Sequence, residues 1–279
     1  MTQRPAMRAL FIASLLPALA AAPHAHAGTY AGAVAVDLIR GSIAGRDCNL
    51  AVKRLKSGLE EGYPEVSLLA GSMYENGICV KRDWSRAVTF YVQAHDAGEA
   101  DGAARVAAGY ADLANGPDVA AALWWARKLP VFRVPHCSVP KEAMADPDRF
   151  VAALAAWPRQ QLAVCNYLAG VLATISAEVK YPELAARYAI GVDVTLRFLA
   201  GLPRIELQRG RSEQYELVGV VSSDKLRDRK SPRVADGFEQ ALSLVANRAL
   251  ARYPHPGGIP ADTLIQVHYK FTIEERTLR

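Results

Sequence analysis

The frame Arg46-Asp47, three residues, Ala51-Val52 and a closing Gly62 is written again as Arg82-Asp83, three residues, Ala87-Val88 and Gly98, 36 positions further on. The same shift brings Tyr74 onto Tyr110. A partial third copy follows, in which Asp118, Ala122 and Leu123 stand as Asp83, Ala87 and Val88 do, displaced by 35. A period of this length belongs to a pair of helices that cannot bury its apolar face alone, so copies must stack. Asp47 and Asp83 suit the N-cap, where a carboxylate accepts from unpaired amides of the first turn. Gly62 and Gly98 suit the left-handed residue past a C-terminus. Between these signals Ala87, Phe90, Tyr91 and Ala94 share one helical face, and Glu65 to Asn76 reads as a second helix with Leu68, Leu69 and Tyr74, stopping at Asn76-Gly77. A small alanine at the matched position lets neighbouring helices approach, and the matched tyrosine fills the space that remains.

The ends and the charge bound the setting. Arg4 and Arg8 precede an apolar run from Ala9 to Ala22, then Ala25-His26-Ala27, the small-x-small pattern cut by a signal peptidase. Residues 1–27 are therefore expected to be a cleaved signal peptide, with the exported chain beginning at Gly28 and residing in the periplasm. A retained membrane anchor is the competing reading, but Pro17 interrupts a run already short of the roughly 20 apolar residues a bilayer needs. No later segment reads as long and apolar enough to span. Without Arg4 and Arg8 the chain's 33 basic residues become 31 against 28 acidic ones. They are scattered and form no stripe, so a nucleic-acid partner is set aside. All four cysteines, Cys48, Cys79, Cys137 and Cys165, fall in the exported part, where an oxidising compartment favours disulfides. Four allow three pairings, and no C-x-x-C spacing suggests zinc or thiol redox chemistry.

The run Leu69 to Gly77, then Ile78-Cys79-Val80, Asp83 and Ala87-Val88, then a glycine closing the next helix, resembles the SEL-like repeat, a relative of the tetratricopeptide repeat. The likeness extends from Arg46 to Lys128 and is most specific in the middle unit. It implies an α-solenoid of helix-turn-helix repeats over residues 28–129, with a concave side open to ligands. In such antiparallel helices the start of one lies beside the end of the next, so Cys48 should approach Cys79, leaving Cys137 and Cys165 for each other. Residues 130–176 then read as a helical pair around Pro158, tied back by the second bridge.

From Tyr181 the rhythm changes. Tyr181-Pro182 opens a short helix that ends near Gly191, and Val192, Val194, Leu196 and Phe198 then alternate with Asp193, Thr195 and Arg197, the pattern of a half-buried strand. Arg204 to Gln208 continues after a turn at Gly201-Leu202-Pro203 as a hairpin. A helix from Asp236 to Tyr253 carries Phe238, Leu242, Val245, Ala249 and Tyr253 on one stripe, and Ile265, Val267, Tyr269, Phe271 and Ile273 alternate inward along a last strand. One helix across a small antiparallel sheet buries both stripes, an α+β arrangement.

This order of pieces over residues 177–279, with the long helix closing in Arg252-Tyr253 and prolines, is similar to the C-terminal domain of TonB. The charged stretch Arg209 to Gly237 is longer than the family's link and suggests an extra hairpin through Tyr215 to Val221. The resemblance implies an edge strand that pairs with an extended peptide of an outer-membrane receptor, main-chain bonds giving affinity and alternate side chains selectivity. The exposed face of the last strand, Gln266, His268 and Lys270, is where such a partner is expected.

No H-E-x-x-H helix, G-x-S-x-G elbow, P-loop or G-x-G-x-x-G after a strand is present. His95, His136, His255 and His268 are scattered, and Glu60-Glu61, adjacent on a helix, do not face each other. Trp124-Trp125 offers an aromatic platform for a glycan or peptide, against the plainer reading that helical spacing puts one in the core. The expectation is a protein that is not an enzyme, with no cofactor and no metal: a periplasmic interaction and scaffold protein of the cell envelope. Its partners would be envelope or outer-membrane proteins, peptidoglycan-associated ones among them. The alternative is a membrane-tethered TonB-like energy transducer, which needs a retained leader and a Pro-rich reach that this chain does not carry. A cell-wall hydrolase is a third class, without a visible catalytic constellation.

Overall fold

The computed structural model describes residues 30–214 and 236–271. The expected leader, residues 1–27, the start at Gly28, the hairpin through Tyr215 to Val221 and Ile273 lie outside the described residues. The duplicated frame forms α2 (Cys48–Glu60), α3 (Pro64–Asn76), α4 (Trp84–Asp96) and α5 (Asp101–Ala111), with α6 (Val119–Ala126) from the third copy. Each frame aspartate caps as its position demands: Asp47 accepts from the Leu50 amide at 2.9 Å, Asp83 from Arg86 at 3.0 Å and Asp118 from Ala121 at 2.9 Å. Ala51, Ala87 and Ala122 are fully buried. Close helix approach is completed by two glycines, since a Cβ at Gly71 would run into the Tyr91 ring and one at Gly109 into Trp84. A helix ahead of the frame, α1 (Tyr30–Ala44), covers α2 and α3, burying Val36 and Ile39 against Leu55, Val66 and Met73.

Past Lys128 the chain runs through short 3-10 turns into α7 (Pro147–Ala155) and α8 (Arg159–Glu178), split at Pro158. The stretch beginning at Arg159 is long and apolar enough to cross a membrane by length and composition, which corrects the expectation that no later segment is. The reason is its place at the centre of the fold: every residue from Tyr167 to Ile175 is buried, among α5, α6 and α10 (Phe238–Arg252). A helix apolar on all sides needs such a setting.

A short helix, α9 (Glu183–Arg187), leads into β1 (Ile190–Leu199), which pairs antiparallel with β2 (Arg204–Gln214) on one side and β3 (Leu264–Phe271) on the other. β2 runs past Gln208 because pairing resumes after a register shift between Val192 and Val194, reaching Ile190 opposite Gln214. Val192, Val194, Leu196 and Phe198 face inward as their alternation requires, and α10 lies across them through Phe238, Leu242, Val245 and Ala249. The molecule is thus mainly helical with a small antiparallel sheet. The helical and the pleated rhythm share a core: one cluster takes Ala107 from α5, Leu172 from α8, Phe198 from β1 and Tyr253 beyond α10.

Polar bonds reinforce that junction. Arg252 donates from Nη2 to Glu75 Oε1 at 2.8 Å and from Nε to Asp112 Oδ2 at 2.6 Å, and the Tyr91 hydroxyl donates to Glu75 Oε2 at 2.6 Å. Burial, then the Glu75 carboxylate, pushes the Tyr91 phenol far above its usual range. Burial opposes the Arg252 charge, but Tyr253, Glu75 and Asp112 outweigh it and hold the guanidinium more firmly protonated. The Tyr253 hydroxyl donates to the Ala108 carbonyl at 2.9 Å. Cys48 is bonded to Cys79 and Cys137 to Cys165, with Cα atoms 4.9 and 5.4 Å apart. Two disulfides fit an oxidising, extracytoplasmic compartment.

Candidate functional site

Among the described residues β3 has a partner strand on one side only. Which of its amides are free follows from register. The Ala200 amide donates to the Thr263 carbonyl at 3.0 Å, so Ala200 and Thr263 form a hydrogen-bonded pair. Hydrogen-bonded pairs alternate along an antiparallel ladder, which makes Ile265, Val267 and Tyr269 the residues bonded to β1. Leu264, Gln266, His268 and Lys270 therefore turn their main-chain groups toward the open edge. Three of these four are the residues the sequence marks as candidates, and Gln266, His268 and Lys270 also carry their side chains exposed on the outer face.

That outer face is a polar ladder. His268 lies opposite Thr195 and bonds its hydroxyl through Nδ1 at 2.9 Å; Gln266 lies opposite Arg197, which pairs with Glu206 at 3.1 Å; Lys270 lies opposite Asp193. Cross-strand pairs of this kind fix register and contribute little each. On the inner face Tyr269 is packed into the core, and burial pushes its phenol well above the usual range.

A groove of about 700 Å³ runs along this edge, floored by Thr263 to His268 and walled by Pro130 to His136. The wall alternates: Phe132 and Val134 are buried, whereas Arg133, Pro135 and His136 are exposed. It is pinned to α8 by the Cys137–Cys165 bond and by Gln161, whose Nε2 donates to the His136 carbonyl at 2.8 Å. The wall residues were missed from the sequence. The only local signal is Phe132 and Val134 alternating between Pro130 and Pro135, too short to be told from a loop.

Trp124 and Trp125 do not join this site or each other. Trp124 packs edge-on to Phe150 at 5.3 Å with the Arg127 guanidinium 3.7 Å above its ring; Trp125 meets His95 edge-on at 5.5 Å and Lys128 at 5.0 Å. Both are half-buried. Burial, then Lys128, lowers the His95 pKa and favours its neutral ring, and burial also lowers that of Arg127. Among the described residues no three of His, Cys, Asp and Glu gather as metal ligands. No protein-family model, curated protein or solved structure matches the chain. What the edge does has to be read from its own chemistry.

Proposed function

We propose that this is a periplasmic interaction and scaffold protein of the cell envelope. Its SEL-like helices form a short α-solenoid that acts as a rigid base, and its TonB-like C-terminal unit takes an extended segment of an envelope or outer-membrane protein along the open edge of β3. The observation that supports the reading best is the coincidence of free amides, exposed side chains and an open groove at Gln266, His268 and Lys270. An unpaired edge is a liability that folded proteins usually blunt, unless a strand from a partner fills it.

His268→Pro tests this directly. Proline is tolerated where the amide it removes points away from the ladder, so the variant should keep its melting temperature while losing edge pairing. A defined partner crosslinked from envelope extract by the exported chain and lost in His268→Pro supports the proposal. Equal capture by both chains refutes edge pairing and leaves a spacer.

A further inference from the structure

We propose that the segment accepted by the β3 groove alternates apolar and acidic residues. This rests on the edge-strand reading above and adds the chemistry of the occupant. A strand laid beside β3 would send alternate side chains to the two faces of the sheet. On one face they meet Ile265 and the apolar wall at Val131 and Val134. On the other they stand beside Gln266, His268 and Lys270. There the balance of charge decides. Arg133 on the wall and Lys270, two residues past the lined stretch of the strand, are exposed and make no ion pair among the described residues, even though Asp193 of β1 stands opposite Lys270; His136 and His268 line the groove with Arg133. Asp262, at the entrance to β3, is the only carboxylate among the described lining residues. Directly opposed cross-strand charges of unlike sign attract and like charges repel, so acidic side chains fit this row and basic ones are turned away. Six consecutive residues of edge, Thr263 to His268, span about 17–20 Å, the length of an ordinary strand.

The test uses the whole exported chain and three labelled peptides, in which valine alternates with glutamate, serine or lysine, followed by fluorescence anisotropy. The valine–glutamate peptide should bind about tenfold more tightly than the valine–lysine one at low ionic strength, with the gap narrowing as salt is added. Arg133→Glu and Lys270→Glu, both at exposed positions, should each shrink that preference. Equal binding of all three peptides, lost in His268→Pro, would overturn the acidic preference and leave the edge-strand reading standing. Binding of the glutamate peptide that is unchanged in His268→Pro, or no binding of any peptide, would overturn the edge reading and this proposal with it.

Discussion

The helices before Lys128 and the sheet after Ile190 bury their apolar faces by different means. In the helices most contacts are with a neighbour in sequence, α1 with α2, α3 with α4, α4 with α5 and α5 with α6, although α1 also covers α3, and α5 and α6 pack on α8. Alanines at the frame position set the spacing, and aspartate caps start each unit. The sheet buries one face under α10, yet it also leans on α8 and, through Arg252, on residues far upstream. Arg252 and Glu75 are 177 positions apart. The first region therefore tolerates local damage locally, whereas the second transmits it.

Replacing Arg252 with methionine tests that contrast most severely. It leaves the buried Glu75 and the half-buried Asp112 without their cation, a loss on the order of 3–5 kcal/mol. Thermal unfolding followed by circular dichroism should show one transition at a much lower temperature. Two separate transitions would mean that the regions melt independently. Next come the disulfides. Their sequence separations, 31 and 28, are nearly equal, so serine pairs at Cys48/Cys79 and at Cys137/Cys165 should each cost about 2–4 kcal/mol. Their effects part elsewhere: only loss of Cys137–Cys165 frees the groove wall and should weaken peptide binding.

A smaller effect lies at Asp236, buried and paired with Arg209, which also holds Glu239 at 2.9 Å. Burial raises the Asp236 pKa, but the Arg209 hydrogen bonds and the Phe238 amide outweigh it, so its folded value lies below the ordinary one. The stability this provides is complete above the unfolded carboxyl's pKa of about 3.9 and is lost as pH falls through the depressed folded value. Asp236→Asn should therefore cost about 1–3 kcal/mol at neutral pH, and the difference from the parent chain should close in acid, measured by urea unfolding across pH. The mildest change is Asp83→Ala, which removes the α4 cap for about 1 kcal/mol and should leave peptide affinity at β3 unchanged. A shift in that affinity would show that the helical base is coupled to the edge.

How far the sequence foretold this depends on range. Asp47, Asp83 and Asp118 announce their helices because a cap is decided within one turn, and the inward set of β1 follows from a two-residue alternation. The cysteine pairing was legible because Cys48 opens a helix and Cys79 follows the next one. The register that leaves Gln266, His268 and Lys270 on the open edge is partly legible: alternation gives their face, but only the pairing with β1 gives the direction of their amides. Nothing local at Glu75, Asp112 or Arg252 says that they meet. Trp124-Trp125 is ambiguous for a related reason, since two adjacent rings on a helix point to different neighbours, supplied by Phe150 and His95. The apolar character of α8 is plain in the sequence, but what surrounds it is not.

That central helix also has a consequence for how the chain is made. Synthesis delivers α5 and α6 first, then α8, soon afterwards β1, whose Phe198 meets Tyr167, and only much later α10, which packs along the helix. Until the last of these emerges, an oily rod lies open along one flank, exposed to aggregation or to a chaperone's grip. Shortened chains that stop before Phe238 should accordingly be clients of the quality-control machinery, and not smaller working proteins.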